Sequence, residues 1–158
     1  MTRRSLLASC AMLFGAALMP SLRAAASEGF EVTHSDDEWH KLLTPDQFAV
    51  LRKAATERPF TSKLLHEERK GVFACAGCDL DLFKSDTKFD SHTGWPSFWA
   101  PIDKAVVTDR DTSFGMIRDA VACRRCGGHL GHVFDDGPRP TGLRYCMNGI
   151  ALTFKPAA

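Results

Sequence analysis

Five cysteines of this 158-residue chain stand in two settings, and their chemistry differs accordingly. Cys75-Ala76-Gly77-Cys78 and Cys123-Arg124-Arg125-Cys126 are two C-x-x-C pairs separated by 44 residues, whereas Cys146 stands alone. Two such pairs supply the four soft ligands of a closed tetrahedral zinc site, with no position left open for substrate. Each pair sits on a turn that contains or adjoins glycine (Gly77; Gly127-Gly128). The site is therefore expected to be structural, clamping two distant segments, and its binding energy counts as folding energy. The competing reading is a pair of redox dithiols or disulfides. A mixed site using His129 and His132 with Cys123 and Cys126 is disfavoured: only two residues separate Cys126 from His129, short of the usual finger interval, and Cys75 and Cys78 would be orphaned.

The lone thiol lies in Arg144-Tyr145-Cys146-Met147-Asn148. On a strand, period-two alternation puts Arg144, Cys146 and Asn148 on one face and Tyr145 and Met147 on the other. A thiol flanked by a cation and an amide is not a core pattern, and the guanidinium favours the nucleophilic thiolate. Upstream, His129 and His132 offer imidazoles for proton transfer, with Asp135 and Asp136 available to orient one. An unpaired cysteine in a β domain is commonly a small buried hydrophobe, and Trp95 taken alone is simplest as a core aromatic. The gathering of Cys, His, Asp, Arg and Asn between positions 129 and 148 points instead to a cysteine nucleophile with a histidine acid/base, and Trp95 could wall a pocket for a small apolar group. These residues do not name a substrate. A non-enzymatic zinc-ribbon binding module and an acyl-transferring hydrolase using Cys146 and His132 remain open alternatives.

The elements that must position these groups are a helical lead-in and an antiparallel β domain. Asp36 to Glu57 reads as helical, with Thr44-Pro45-Asp46-Gln47 as a helix start carrying proline at its first position. Short alternating stretches follow at Val72-Phe73-Ala74, Val106-Val107-Thr108 and Met116-Ile117-Arg118, and Ala151-Leu152-Thr153-Phe154 reads as a last strand. Before all of this, residues 1–26 have the order of a signal peptide: Arg3-Arg4, a twin-arginine pattern, an apolar run from Leu6 to Met19, then Ala24-Ala25-Ala26. That run is too short for a membrane-spanning helix. Cys10 resembles the cysteine of a lipoprotein box, but most of the apolar run follows it, so it reads as an ordinary signal residue. Cleavage after Ala26 leaves one domain, residues 27–158, exported to the periplasm or beyond. Without the three arginines of the leader the chain has 17 basic and 19 acidic residues. No basic cluster offers a footprint for nucleic acid or anionic lipid.

Together these motifs resemble the methionine-R-sulfoxide reductase B family. The resemblance is carried by Leu43-Thr44-Pro45-Asp46-Gln47-Phe48, Thr56-Glu57-Arg58-Pro59-Phe60, the two C-x-x-C pairs, Lys88-Phe89-Asp90-Ser91, Gly94-Trp95-Pro96-Ser97-Phe98, His129-Leu130-Gly131-His132-Val133-Phe134 and Arg144-Tyr145-Cys146-Met147-Asn148. It implies a mainly β fold of two antiparallel sheets in a tent-like arrangement, with peripheral N-terminal helices and a structural zinc on Cys75, Cys78, Cys123 and Cys126. It implies that Cys146 attacks the sulfoxide sulfur and becomes a sulfenic acid, that Trp95 contacts the S-methyl group, and that His129, His132 and Asn148 line the site and handle the oxygen. Asp136 and Arg144 match supporting positions. Many members carry a resolving cysteine where this chain has Thr93, beside His92 where glycine is usual. An external thiol, from a thioredoxin-like protein or a small molecule, is then the expected reductant. Oxidised proteins are the expected substrate, no organic cofactor is implied, and a monomer is expected.

Overall fold

The computed structural model describes residues 29–112, 115 and 117–158. The proposed leader and Met116 lie outside the described residues. The helical lead-in is two helices, α1 (Asp36–Leu42) and α2 (Pro45–Lys53), the second starting at the Thr44-Pro45 expected to open a helix. Proline cannot extend a preceding helix and pushes the residue before it into extended backbone. Thr44 accordingly sits at φ −66, ψ 158 and caps α2. Both helices begin with a reciprocal capping box, Ser35 with Glu38 and Thr44 with Gln47, worth about 1 kcal/mol each. The helical reading also ran too far: α2 stops at Ala54, which is left-handed at φ 54.

Nine strands follow among the described residues, all paired antiparallel. The small sheet contains β1 (Gly71–Cys75), β2 (Asp81–Lys84) and β9 (Leu152–Pro156), in the order β2-β1-β9. The large sheet contains β3 (Lys88–Phe89), β4 (Ser97–Phe98), β5 (Val106–Asp111), β6 (Arg118–Cys123), β7 (His129–Phe134) and β8 (Arg144–Met147), in the order β3-β4-β8-β7-β6-β5. The expected strands at 72–74 and 106–108 fall inside β1 and β5. Of the expected stretch at 116–118, Ile117 lies outside a strand and Arg118 opens β6, and Ala151 belongs to a 3-10 turn, Gly149–Ala151, ahead of β9.

The two sheets meet through aromatics. Phe73 of β1 and Phe83 of β2 are cross-strand partners, and both pack on Phe98 of β4, with ring centroids 5.0 and 4.4 Å away. All three are fully buried, so truncating Phe98 to alanine would cost about 3–5 kcal/mol. The helices close the other side of the core: Trp39, Phe48 and Leu51 are buried, and Arg52 ties α2 to the second cysteine pair through a 2.9 Å hydrogen bond to the Cys126 carbonyl. No helix among the described residues is long and apolar enough to cross a membrane.

Candidate active site and metal centre

The two C-x-x-C pairs converge although they belong to different sheets. Cys75 ends β1, Cys123 ends β6, and Cys78 and Cys126 lie in the turns that follow. Their four sulfurs all lie within 4.8 Å of one another. The Cys75–Cys126 and Cys78–Cys123 separations are 3.7 and 3.5 Å, far from the ~2.05 Å of a disulfide. A tetrahedral zinc with bonds of about 2.3 Å needs sulfurs about 3.8 Å apart, so the donor set fits that ion. The redox-pair reading finds no support in this geometry. A mixed site is excluded too, because all four thiols already converge and the two histidines belong to the Cys146 face, as described next.

Cys146 is in the middle of the large sheet. Its cross-strand partners are Ser97 on β4 and His132 on β7, and directly opposite side chains share a face with Cβ atoms about 4.5–5.5 Å apart. Three residues separate the two histidines along β7, which in a regular strand would put them on opposite faces. A register shift restores the phase. His132 pairs with Ala120 and His129 with Ala122, because the ladder slips between Val121 and Ala122. Ala120 and Ala122 share a face of β6, so both imidazoles do as well, with ring centroids 5.3 Å apart. Bulges of this kind re-aim side chains beside active sites. Gly131, between the histidines, permits the close approach of β7 to β8: a Cβ there would lie 2.1 Å from the Cys146 carbonyl oxygen.

A cavity of about 180 Å³ opens over this face, lined by Thr56, Trp95, Arg118, Gly131, His132, Phe134, Cys146 and Asn148. Four of the five expected site residues outside the metal cluster therefore meet in one place. The fifth, His129, stands beside His132 and does not line the cavity. Its Nε2 is buried without a hydrogen-bond partner, and burial, with the neighbouring His132, draws its pKa down to about 4. It is neutral at neutral pH. Asn148 lies just past β8, and its amide is fixed at both ends, accepting from the Glu57 N–H at 2.8 Å and donating to the Leu130 carbonyl at 3.0 Å.

Thr93 Oγ1 stands 3.8 Å from the Cys146 sulfur. It continues into a hydroxyl chain, Thr93–Ser91 at 2.8 Å and Ser91–Ser97 at 2.7 Å. His92, next to Thr93, adopts φ 58, a left-handed conformation that glycine takes up more easily than histidine. The sequence expectation that a guanidinium would favour the Cys146 thiolate is only half met. Arg144 does pull that way, but burial outweighs it and pushes the Cys146 thiol up.

Two further assignments change. Asp136, expected to be available to orient a histidine, is engaged instead by Arg144 in a bidentate pair at 2.8 and 2.8 Å. The carboxylate on His132 is Asp111, whose Oδ2 is 2.8 Å from His132 Nε2. Arg118 donates to the same oxygen at 2.8 Å. Glu57 is the third residue, after Asp111 and Arg118, that sequence reading left without a role. Its backbone holds both Asn148 and, at 3.0 Å, the Trp95 indole N–H, and its carboxylate accepts from the Gly149 and Ile150 N–H groups.

Comparison with known proteins adds one decisive observation: the SelR domain matches residues 43–156. The chain belongs to the SelR family. The SelR match begins at Leu43, ahead of α2, and ends within β9, so it takes in both the metal cluster and the Cys146 face. Among curated relatives, the peptide methionine sulfoxide reductase MsrB of Pseudomonas putida (strain W619) is 59% identical over 121 residues, covering 76% of this chain and 91% of the relative. The MsrB of Methanosarcina barkeri is 55% identical over 125 residues, 78% of this chain and 88% of the relative. That of Leptospira interrogans is 52% identical over 127 residues, 80% and 97%. The site residues that sequence reasoning missed, Asp111, Arg118 and Glu57, are ordinary charged residues in sequence. Their only signal is the register that carries them to His132, Trp95 and Asn148.

Proposed function

We propose that this SelR-family chain reduces the R epimer of methionine sulfoxide in oxidised proteins, with Cys146 as the nucleophile. The observation that carries the reading is the shared face of Cys146 and its cross-strand partner His132 inside a cavity walled by Trp95. A cavity of about 180 Å³ suits the end of one side chain rather than a large cofactor. The relatives named peptide methionine sulfoxide reductase supply the substrate class.

The chemistry balances without an added oxidant. The Cys146 thiol loses its proton, and the thiolate sulfur attacks the sulfoxide sulfur while His132 delivers a proton to the sulfoxide oxygen. The attack forms an S–S bond, and the protonated oxygen then passes from the substrate sulfur to Cys146. The S–S bond and the substrate S–O bond break, an S–O bond forms on Cys146, and the products are methionine and the Cys146 sulfenic acid. The substrate sulfur gains two electrons and the cysteine sulfur loses two. Neutral His129 serves as a hydrogen-bonding neighbour, not as the cation. Trp95 packs against the S-methyl group, and Asn148 holds the cavity wall. With Thr93 in the place of a resolving thiol, an external thiol attacks the sulfenic acid, releasing water, and a second thiol displaces the mixed disulfide to restore Cys146. A thioredoxin-like protein or a small thiol fits that role.

The four-cysteine cluster would hold a zinc ion, which supplies structural cross-linking and no chemistry to the substrate. Export after removal of residues 1–26 rests on the order of basic, apolar and small residues there. The test is thiol-dependent conversion of methionine sulfoxide to methionine within peptides carrying each sulfoxide epimer separately. Turnover of the R epimer and indifference to the S epimer is the expected result; no turnover of either, or equal turnover of both, overturns the reading.

A further inference from the structure

The large sheet sets two rows of side chains on the face that carries Cys146. One row runs Ser97, Cys146, His132, Ala120 from β4 to β6, each directly opposite the next. The adjoining row, two residues along each strand, includes Arg144, Phe134, Arg118 and Asp111, from the pairs Phe134–Arg144 and Asp111–Arg118. Within it the Arg144 guanidinium stacks over the Phe134 ring at 4.4 Å. His132 on β7 and Asp111 on β5 are separated by the whole of β6. Yet their side chains meet at 2.8 Å, because β6 places only the methyl of Ala120 beside His132 in that row. Arg118, the β6 residue of the next row, then bridges to the same Asp111 oxygen.

We propose that Asp111, held by Arg118, is the positioning residue of this site, fixing the ring and the tautomer of His132. The inference rests on the reductase reading for its catalytic consequence but not for its geometry. A carboxylate oxygen only accepts hydrogen bonds, so contact with Asp111 requires the proton on His132 Nε2. Nδ1 is thereby left as the nitrogen that exchanges a proton with the reacting groups. When Nδ1 takes the proton released by Cys146, the imidazolium is flanked by the Asp111 carboxylate, and when it passes the proton to the sulfoxide oxygen the ring returns to the Nε2–H form. The charges facing His132 are then Asp111 from β5, Arg118 from β6, and Cys146 from β8, with neutral His129 on its own strand. Asp111 does not touch substrate; it acts through His132.

Imidazole ¹⁵N spectra of the full chain provide a readout that a merely structural role would not move. In wild type at neutral pH, His132 is expected as the Nε2–H tautomer, and in Asp111→Ala as a mixture or as Nδ1–H. The same substitution should slow the sulfoxide step about tenfold to a hundredfold, a share of the 10²–10⁴ that general acid–base catalysis supplies, with KM within about twofold. Asp111→Asn is nearly isosteric and covers the case in which Asp111→Ala does not fold; its amide can still accept from Nε2 but carries no charge, so an intermediate rate and a retained Nε2–H signal are expected. An Nδ1–H tautomer in wild type, an unchanged tautomer in Asp111→Ala, or an unchanged rate in either variant overturns the proposal. If wild type reduces no sulfoxide, the reductase reading fails alone, and the spectra still decide between these outcomes for Asp111 and His132.

Discussion

The metal cluster and the Cys146 face use the same side chain in opposite ways. At the cluster, four sulfurs crowd within 4.8 Å of one another, and Cys75, Cys123 and Cys126 are almost fully buried. At the other site one sulfur opens onto a cavity and has hydroxyl, imidazole and guanidinium neighbours instead of other thiols. A thiol surrounded by thiols is a ligand; a thiol surrounded by proton donors and acceptors is a reagent. The two also differ in what holds them. The cluster joins β1 of one sheet to β6 of the other, while Cys146 depends on register within a single sheet.

Disturbing the cluster should therefore have the larger effect on folding. Replacing Cys123 by serine, or treating the protein with a chelator, would remove the zinc tie proposed for the cluster, whose counterpart in small zinc domains is worth about 10 kcal/mol or more. The expected outcome is loss of the cooperative thermal transition, with one zinc per chain lost in parallel by metal analysis. A transition that survives chelation would mean that the aromatic contact between sheets suffices. Cys146→Ser should do the reverse, lowering sulfoxide turnover by about 10³-fold or more, equivalent to about 4 kcal/mol, while the midpoint of thermal unfolding stays within a few degrees. A large fall in the midpoint would place Cys146 with the structural thiols.

Much of this contrast is legible in sequence, for a physical reason. Metal ligation needs two close ligands on one turn, and the C-x-x-C spacing writes that requirement locally. The odd cysteine, Trp95 and the histidines are conspicuous by residue type. The bulge that brings His129 and His132 to one face is not written in any local pattern, nor is the crossing of β6 by Asp111. Both follow from which residues stand opposite each other on strands far apart in the chain. The helix break at Thr44 was readable because proline acts on its immediate neighbour; the end of α2 at Ala54 was not, since alanine carries no stop signal.

A smaller effect should come from acid. His129 titrates near 4 in the folded protein against about 6.5 unfolded, so between those values the unfolded chain binds more protons. Stability from this group is complete above about pH 6.5, falls as pH drops towards 4, and changes little below that. The full contribution is about 3 kcal/mol at most. His129→Asn should flatten that part of the pH–stability curve; an unchanged slope would show that the ring is accessible to protons in the native state. The smallest perturbation is Thr93→Cys. With Thr93 Oγ1 already 3.8 Å from the Cys146 sulfur, a thiol at that position should capture the sulfenic acid as an intramolecular disulfide with little change in stability. Non-reducing mass analysis should then find a mass lower by two hydrogens after sulfoxide treatment. If the introduced thiol and Cys146 both stay free, the geometry is contradicted.

The division of labour between the two thiol settings is tested most directly by one turnover. Protein free of reductant is mixed with one equivalent of an R-sulfoxide peptide, trapped with a sulfenic-acid reagent, and mapped by mass spectrometry. The account predicts one trapped oxygen equivalent on Cys146, stoichiometric with methionine formed, and none on Cys75, Cys78, Cys123 or Cys126. Oxidation at the cluster, or a disulfide between Cys146 and any of its four cysteines, would contradict it.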